Sequence, residues 1–515
     1  MKLIAINTLH DATVSVFHDG TLINLELERL VRERYLSLSK RSDIAEIFVR
    51  TIDLLEKHYR ISNCFETCLY HGRRKHQALI KELFHAASHE KIDIHHQAHA
   101  AAALYESPFK EAIIVSFDGG GFDGVFNIYS GQRGANLRLE ARFPYNLGTS
   151  YRLFAYPLSE MAKKRRPHHA TAMDMSAAGK LMGLAAYGQP REGWIGKIIG
   201  LMKCFDADGD LRKPGVLLQQ AGLPSGFDEL SGQNAYDLAA SAQRAFEEVF
   251  FEVALPYLQS SELPICLTGG AALNVLLNER VRKATGRDVF VPPNPNDCGI
   301  TTGLILDRIR PEQPVNVTYS GWPLLDRSGE TLGQRARLEN IVQLLTEGKI
   351  IGVARGGSEH GPRALGNRSI ICDPGIRGMK NILNHKVKFR EWFRPFAPVT
   401  RLESAKKYFD LSQPAPYMSF APTVREQWRS KLAAIVHQDG TARVQTVTEL
   451  ENPWLYRLLG EFEKASGYDV LLNTSFNMKG RPILTSISDA VDTLRSTSLD
   501  FAVIEDHLIS KKDAH

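Results

Sequence analysis

Two histidines four residues apart have the spacing most suggestive of chemistry in this sequence. His95 and His99 lie in an alanine-rich segment that favours a helix. Residues at this spacing share one helix face, one turn apart, so both imidazoles can bind one metal ion. Asp118, which ends a strand-like apolar run, and Asp297, which follows a proline-rich run, could complete the set. The four ligands suit iron, manganese or zinc, whereas the histidine pair alone could equally be helix-surface residues.

A group of cations in the last third of the sequence forms the second candidate site. They lie among glycines, prolines and aromatic residues: Arg363, Arg368, Lys388, Arg390 and Arg394. Arginine in such loop-like surroundings can form paired hydrogen bonds with phosphate or carboxylate oxygens. The composition predicts a pocket for a polyanion, and the alternative is a basic surface loop.

Other polar residues lie in or beside predicted turns. His10 lies in the first turn, where it could act as a general base or could simply hydrogen-bond to the backbone. Lys180 could contact a phosphate or extend its stem along the core. Asn473 and Ser475 follow a strand-like run, and their short side chains suit a small carbonyl or amide group. Arg443 adds a further cation.

These residues need a fold that brings several strand ends together. Strand-like runs end in Asp-Gly or Gly-Gly turns in residues 2–28, 112–121 and 264–274, and the last of these turns contains Gly269 and Gly270. Glycines let backbone N–H groups approach phosphate oxygens. The repeated order resembles the actin/hexokinase/heat-shock ATPase class, whose two α/β halves close around a nucleotide. We therefore predict an α/β fold of this class for the first domain.

The linear organisation predicts two domains joined by a strap. The first covers residues 1–312, and residues 313–335 carry prolines and glycines without periodicity, which is typical of a linker. A helix and then a strand open the second domain, residues 336–515, which contains the cations. The basic, histidine-rich stretch 162–174 is predicted to be an exposed loop rather than a substrate-recognition element.

The composition is that of an ordinary globular protein. The 515 residues are 43% hydrophobic and 23% charged, and the net charge of +5 is too small to indicate nucleic acid as a partner. The six cysteines form no CxxC pair, so we expect free thiols in a reducing compartment. Signal-peptide features are missing, and no run of about 18 apolar residues occurs. We expect a cytoplasmic protein without membrane contact, and the oligomeric state is left open.

The order of short motifs identifies a family resemblance that covers almost the whole chain. The motifs are HDAT (10–13), HHQAHAAAA (95–103), FDGGG (117–121), KLMGLAAYG (180–188), TGGAALN (268–274), NDCGI (296–300), EHGPRALGNRS (359–369), FREWFRPFAP (389–398), DGTARVQTV (439–447) and LLNTSFNMKGRPI (471–483). Together they resemble the nodulation-protein U / cephem carbamoyltransferase family, which includes O-carbamoyltransferases of antibiotic biosynthesis.

The resemblance implies a two-step reaction on two domains. The first domain is similar to the ATPase-fold protein of tRNA threonylcarbamoylation, and the second is similar to its YrdC-like α/β partner. Carbamoyl phosphate and ATP, with Mg²⁺, would give carbamoyl-adenylate and pyrophosphate in the second domain. The carbamoyl group would then pass in the first domain to a hydroxyl of a small acceptor, such as a sugar, aminoglycoside, polyketide, oligosaccharide or alkaloid.

The same resemblance assigns roles to individual residues. The metal ligands, for Fe(II) or another divalent transition metal, would be His95, His99, Asp118 and Asp297. His10 matches the base for the acceptor hydroxyl. The contacts to carbamoyl phosphate and ATP would be Arg363, Lys388, Arg394, Arg443, Asn473 and Ser475, with Lys388 and Arg394 catalytic. The nucleotide in the first domain would contact Gly269, Gly270 and Asn274.

The sequence also departs from the family pattern at three positions. Phe122 stands where an acidic residue is usual, Gly357 where arginine is usual, and His360 where phenylalanine is usual. Three other functions compete with small-acceptor carbamoylation: threonylcarbamoyl transfer to tRNA, a plain sugar or acyl kinase, and a non-catalytic ATP-binding regulator. The near-neutral charge disfavours the first, the second arginine-rich domain disfavours the kinase, and four candidate metal ligands disfavour the regulator.

Overall fold

The computed structural model describes residues 1–161, 174–205, 213–326 and 333–513. The described strands are β1 (Lys2–Asn7), β2 (Thr13–His18), β3 (Thr21–Glu26), β4 (Phe65–His71), β5 (Ala86–Lys91), β6 (Glu111–Phe117), β7 (Phe126–Gln132), β8 (Arg138–Phe143), β9 (Ile265–Thr268), β10 (Val289–Phe290), β11 (Gln334–Arg335), β12 (Ile351–Ala354), β13 (Arg368–Cys372), β14 (Ala397–Arg401), β15 (Gln445–Val447), β16 (Val470–Ser475), β17 (Phe501–Ile504) and β18 (His507–Ser510). Most of the predicted basic stretch, residues 162–173, lies outside the described residues.

Helices alternate with these strands, as an α/β chain requires. The described α-helices are α1 (Leu27–Val31), α2 (Ile44–Tyr59), α3 (Gln77–Leu83), α4 (His95–Glu106), α5 (Leu147–Ser150), α6 (Ala177–Ala185), α7 (Glu192–Cys204), α8 (Pro214–Gln220), α9 (Gly232–Gln259), α10 (Val275–Thr285), α11 (Ile300–Ile309), α12 (Leu338–Thr346), α13 (Met379–Ile382), α14 (Ala405–Tyr408), α15 (Glu426–Arg429), α16 (Pro453–Ser466) and α17 (Ile487–Ser496). Short 3₁₀ turns, including Gly270–Leu273 and Asp297–Gly299, connect several of them.

The first two sheets repeat one topology. The first has the order β3-β2-β1-β4-β5, and the second has the order β10-β9-β6-β7-β8. In each sheet three successive strands form an antiparallel meander, and two later strands are added in parallel beside the first of them. This duplication is the arrangement of the actin/hexokinase-like ATPase fold, so the predicted fold class is confirmed.

The two equivalent helices α4 and α11 pack tightly together between these sheets. Each follows the last strand of its own sheet, β5 or β10. A Cβ atom on Gly303 of α11 would lie 2.0 Å from the carbonyl oxygen of Ala98 in α4, so only glycine allows this approach. The buried alanines of α4 present small side chains to its neighbours. The helix N-termini therefore meet at the junction of the two halves.

The third sheet builds a separate α/β unit, as predicted. Its order is β11-β18-β17-β12-β13-β16-β14-β15, with parallel and antiparallel pairs. The amphipathic helix α12 packs against α16. Because this sheet begins at Gln334, we propose that the second domain starts about two residues before the predicted boundary at 336.

The segment between the units is an ordered strap over its described part. The backbone N–H of Val315 donates to Tyr105 O (2.9 Å) in the first unit, and that of Leu325 donates to Thr485 O (2.9 Å) in the third-sheet unit. Trp322 is completely buried, and its indole N–H donates to Glu26 O (2.9 Å). The strap thus ties the two units together, which fixes the relative position of their functional residues.

A candidate metal cluster and a candidate anion pocket

The N-terminus of α4 carries both histidines of the predicted metal set. His95 and His99 lie one turn apart and are buried. The carboxylate of Asp123 accepts hydrogen bonds from the backbone N–H groups of His96 (2.8 Å) and Gln97 (3.1 Å) at the start of this helix. This cap satisfies two of the free N–H groups of the first turn and holds the helix end in place.

The structure brings the four predicted ligands together; we call them the metal cluster (His95, His99, Asp118 and Asp297). One ligand atom from each residue lies within 4.8 Å of the others. The Nε2 atom of His99 lies 3.4 Å from Asp118 Oδ2 and 3.5 Å from Asp297 Oδ1, and the His95 Nε2 atom lies 3.6 Å from the same Asp297 oxygen.

The hydrogen bonding of the histidine nitrogens shows whether the metal cluster fits a metal ion. The Nε2 atoms of His95 and His99 are buried and have no hydrogen-bond partner among the described residues. Buried polar nitrogens without partners are costly in free energy unless a ligand satisfies them. Two such nitrogens beside the buried carboxylate of Asp297 and the partly buried carboxylate of Asp118 fit a divalent transition metal.

Glycines aim the carboxylate of Asp118 into the metal cluster. The backbone N–H of Gly270 donates to Asp118 Oδ2 at 2.5 Å. Gly269 has a φ of +88°, and a Cβ atom there would lie 2.2 Å from the carbonyl oxygen of Phe117. The Gly-Gly turn therefore positions the Asp118 carboxylate at the metal cluster. Its predicted contact with a nucleotide stays a prediction.

Charges in the metal cluster are strongly coupled. Burial lowers the pKa of His95 to about 3. Burial also lowers the pKa of His99, but the carboxylates of Asp118 and Asp297 outweigh it and raise the value to about 9. The histidines in turn hold the pKa values of both aspartates below their usual range despite burial. The carboxylates are therefore ionised and available as ligands.

His10 lies beside the metal cluster, in the turn between β1 and β2. Its Nε2 atom is 3.2 Å from Asp297 Oδ2, and its Nδ1 atom is 3.5 Å from Asp11 Oδ2. Its side chain is 45% exposed, so a solute can reach it. The Asp297 carboxylate raises the pKa of His10 to about 10. The position matches the predicted base, while the raised pKa favours the protonated ring in the absence of a cation.

Five cations of the third-sheet unit come together in a second site. We call this set the anion pocket: Arg363, Lys388, Arg390, Arg394 and Arg443. Each member lies within electrostatic reach of at least one other. Burial and Arg394 lower the pKa of Arg363 to about 10, and burial with neighbouring arginines lowers that of Arg443 strongly. Such like-charge crowding indicates a site for a polyanion.

Hardly any negative charge balances the anion pocket. Within the described residues, Glu391 is the only carboxylate at ion-pair distance from a member, 3.7 Å from Arg394. Lys180 of α6 holds the same carboxylate more closely, at 3.0 Å. Lys180 therefore crosses from the first domain to Glu391, and neither of its two predicted roles describes this contact.

Strand β16 positions the lysine of the anion pocket. Lys388 Nζ donates to the carbonyl oxygens of Ser475 (2.7 Å) and Asn477 (2.9 Å), and it lies 3.4 Å from Ser475 Oγ. Asn473 is buried and donates to Ala364 O (3.1 Å) and Gln445 Oε1 (2.7 Å). Asn473 therefore supports the loop that carries Arg363, and its Oδ1 atom has no partner in the described part of the chain.

Two residues singled out from the sequence have structural tasks in the fold, and the predicted nucleotide contact of Asn274 stays a prediction. Arg368 is completely buried and donates to the carbonyl oxygens of Arg355 (2.6 Å), Gly356 (2.8 Å) and Trp322 (3.2 Å), so it is not part of the anion pocket. Asn274 caps α10 by accepting from the N–H of Leu277 (3.0 Å). Loop composition could not separate a buried arginine that binds carbonyls from one that faces a pocket.

The three departures from the family pattern are compatible with the fold. A Cβ atom on Gly357 would lie 2.3 Å from Tyr319 O, so the strap requires glycine there. His360 is buried, with its ring nitrogens 3.1 Å from Asn294 Nδ2. Phe122 is 62% exposed and packs edge-on against His71. The acidic residue Asp123 follows it and caps α4, a task the sequence reading missed.

Comparisons with known proteins identify the family of this chain. The family model described as carbamoyltransferase N-terminus matches residues 15–306, and that described as carbamoyltransferase C-terminus matches residues 342–511. Nodulation protein NolO of Bradyrhizobium diazoefficiens is 32% identical, with 82% of this chain and 79% of that protein covered. Nodulation protein U of Sinorhizobium fredii is 30% identical, with 77% and 74% covered. The chain belongs to the carbamoyltransferase family, and the predicted family and enzyme class are confirmed.

A solved structure shows a weak likeness in addition. Full-length HypF in a phosphate- and nucleotide-bound form is 14% identical with a TM-score of 0.36, covering 60% of this chain and 55% of that chain. The fold assignment therefore rests on the strand order given above. In the described segments, none of the helices has the length and hydrophobicity needed to span a bilayer.

Proposed function

We propose that this carbamoyltransferase uses its two sites for two successive reactions. In the anion pocket, water cleaves carbamoyl phosphate to carbamate and inorganic phosphate, and a carbamate oxygen then attacks the α-phosphorus of ATP, which enters with Mg²⁺. Pyrophosphate leaves and carbamoyl-adenylate is formed. At the metal cluster, a hydroxyl of a small sugar or natural-product acceptor attacks the carbamoyl carbon, and AMP leaves.

The observation that carries this proposal is the pairing of the two sites in one ordered chain. An unbalanced set of five cations suits the phosphates of ATP and carbamoyl phosphate, because fixed positive charges stabilise the charge that develops during phosphoryl and adenylyl transfer. A kinase of the ATPase fold would have no use for this second pocket.

The residues of the metal cluster support its part in the second reaction. His95, His99, Asp118 and Asp297 would hold Fe(II) or another divalent transition metal, which would act as a Lewis acid on phosphate oxygens. His10 is the proposed base for the acceptor hydroxyl, since it is half-exposed and fixed between Asp11 and Asp297. A cation held by Asp297 would weaken the main cause of the raised His10 pKa and would so favour the neutral imidazole that a base requires.

The remaining features support a small acceptor in a reducing compartment. All six cysteines are free thiols, which supports the proposed cytoplasmic location. The net charge of +5 is spread over a chain of 515 residues and gives no support to a nucleic-acid acceptor. We therefore propose that the acceptor is a hydroxylated small molecule.

Pyrophosphate release without any acceptor tests the first reaction. The purified chain with ATP, Mg²⁺ and carbamoyl phosphate should release pyrophosphate, and omission of carbamoyl phosphate should abolish the release. The His10→Ala variant should release pyrophosphate at the wild-type rate while failing to carbamoylate any acceptor that gains a carbamoyl mass with the wild-type enzyme. No pyrophosphate from the wild-type chain would refute the first reaction, and normal transfer by His10→Ala would refute the base.

A further inference from the structure

A segment of the first domain is fastened to the loop of the second domain that carries Arg363. The carboxylate of Glu26 accepts a hydrogen bond from the backbone N–H of Gly361 (2.7 Å). Arg29 donates to the carbonyl oxygen of the same glycine (2.8 Å) and pairs with Glu26 (2.8 Å). Both side chains are buried, so these contacts form a rigid junction. The residues that follow Arg29 are therefore held beside the anion pocket.

Arg34 follows Arg29 by five residues on this segment, which the hydrogen bonds to Gly361 hold two residues from Arg363. It lies within electrostatic reach of Arg363, Lys388 and Arg394. Its guanidinium donates to the hydroxyl of Tyr35 (2.9 Å) and lies 4.8 Å from the centre of that ring. In the described ranges no carboxylate lies at ion-pair distance from Arg34. A sixth cation is thus added to a set that already lacks counter-charge.

A neighbouring arginine on the same segment shows that this lack of a partner is specific to Arg34. Arg32, two residues earlier, pairs with Asp489 (3.2 Å) and donates to Ser486 (3.5 Å) of the second domain. It therefore acts as a neutralised contact between the domains. Arg34 has an aromatic contact instead, which orders its side chain without removing its charge.

Crowded cations raise the free energy of a folded protein unless a bound anion compensates them. The guanidinium of Arg34 has five N–H donors, and its contact with Tyr35 does not use all of them. It can therefore also bind an oxygen-rich anion. Cations that serve only as surface charges are expected to lie apart from one another or to pair with carboxylates, as Arg32 pairs with Asp489.

We infer that Arg34 of the first domain binds the polyanion held in the anion pocket, so that the pocket is complete only with a residue from the first domain. This inference rests on the proposed function for the identity of the anion, namely the phosphate groups of ATP and carbamoyl phosphate. It also alters the proposed division of labour, because the first reaction then needs both domains.

Titration calorimetry of the full-length chain with inorganic pyrophosphate tests this inference. We expect the dissociation constant of Arg34→Gln to rise about 10- to 100-fold, the loss typical of one charge-assisted contact. The matched control Arg32→Gln removes an equal charge from the same segment and should stay within about twofold of wild type. Arg34→Lys keeps the charge but loses the planar fork, so its affinity should be intermediate.

The outcomes separate Arg34 from the rest of the proposal. Wild-type pyrophosphate binding with equal affinities for Arg34→Gln and Arg32→Gln would overturn the role of Arg34 alone. A wild-type chain that neither binds nor releases pyrophosphate would overturn the proposed first reaction as well. Thermal unfolding of each variant should match wild type. If Arg34→Gln does not fold, Arg34→Lys supplies the comparison. Wild-type pyrophosphate affinity in Arg34→Lys, together with an affinity that does not change with added salt, would contradict the inference.

Discussion

The metal cluster and the anion pocket differ in their charge balance and in the structural elements that carry their residues. The metal cluster joins two histidines and two carboxylates, and all four stand at helix starts or strand ends of two equivalent sheets. The anion pocket collects five cations from loops and strand ends of one sheet, and the one carboxylate near them in the described part of the chain, Glu391, also pairs with Lys180. One site is nearly balanced in charge, and the other is far from balance.

This difference indicates what each site requires from a ligand. In the metal cluster the unpaired atoms are nitrogens with lone pairs, so the missing partner is a cation. In the anion pocket the cations are crowded and have depressed pKa values, with little counter-charge among the described residues, so the missing partner is an anion. The strap and the Glu26–Arg29–Gly361 junction hold the two sites in one body.

Loss of a ligand from the metal cluster should have the largest effect. His99→Ala should lower metal affinity more than about 100-fold, which is the upper figure for partners outside the ligand set. Pyrophosphate release should continue, because the anion pocket is intact. Elemental analysis after gel filtration and a pyrophosphate assay measure the two effects.

The control for this variant is His96→Asn on the same helix. The Nδ1 atom of His96 lies 2.8 Å from Ser116 Oγ, and His96 is not one of the four candidate ligands, so its loss should leave the metal content unchanged. Equal metal content in His99→Ala and wild type would show that the cluster is not a metal site and that the two sites do not differ in the charge of their ligands.

Truncation of one cation in the anion pocket should have the next largest effect. Arg394→Ala should slow pyrophosphate release by about 10²–10³, equivalent to about 2–4 kcal/mol of transition-state stabilisation. Metal content should not change. The exposed Arg457, which pairs with Glu449 at 3.2 Å, is a matched control whose alanine variant should keep the wild-type rate. An undiminished rate in Arg394→Ala would remove Arg394 from the proposed site.

The pH dependence of anion binding should follow Lys388. Burial and the neighbouring Arg390 and Arg394 hold its pKa well below the usual value, and a bound polyanion would raise it. Binding therefore takes up a proton wherever the free lysine is neutral, and affinity for pyrophosphate should fall as pH rises through the free-state pKa. Calorimetry over a series of pH values below the usual lysine pKa measures this fall.

Pyrophosphate itself also titrates, and the Lys388→Met variant measures the pH dependence that comes from pyrophosphate alone. The variant should bind more weakly at low pH and should lose the part of the pH dependence that belongs to the lysine. If the wild type and Lys388→Met respond to pH in parallel, the ammonium group does not titrate in the anion pocket.

The smallest effect concerns Asn274, for which the sequence and the structure give different roles. As the cap of α10, it should cost about 1 kcal/mol of unfolding free energy when changed to alanine. Asn452→Ala removes the equivalent cap of α16 and should cost about the same. Chemical denaturation measures both. A tenfold loss of ATP affinity in Asn274→Ala without any loss of stability would support its predicted nucleotide contact over the cap.

The sequence predicted the metal cluster better than the anion pocket, for a geometric reason. The spacing of His95 and His99 determines their common helix face, because helix geometry is local. Arg363 and Arg368 lie in one loop with similar neighbours, yet only Arg363 belongs to the anion pocket. Side-chain direction in a loop depends on distant carbonyls, such as those of Trp322 and Gly356 in the case of Arg368. Loop composition contains no such information.

By itself the sequence determined the family, the α/β class, the duplicated order of strand-ending turns and the four candidate metal ligands. These features depend on local periodicity and on motifs whose residues are close in the chain. Only the tertiary structure decided that Asp297 meets His10, that Lys180 reaches Glu391, and that Arg34 approaches the anion pocket. Each of these pairs is separated by more than 200 residues, and no local pattern records which strand end or loop will be its neighbour. Packing of α4 against α11 and the course of the strap make those contacts, because they determine how the three sheets meet.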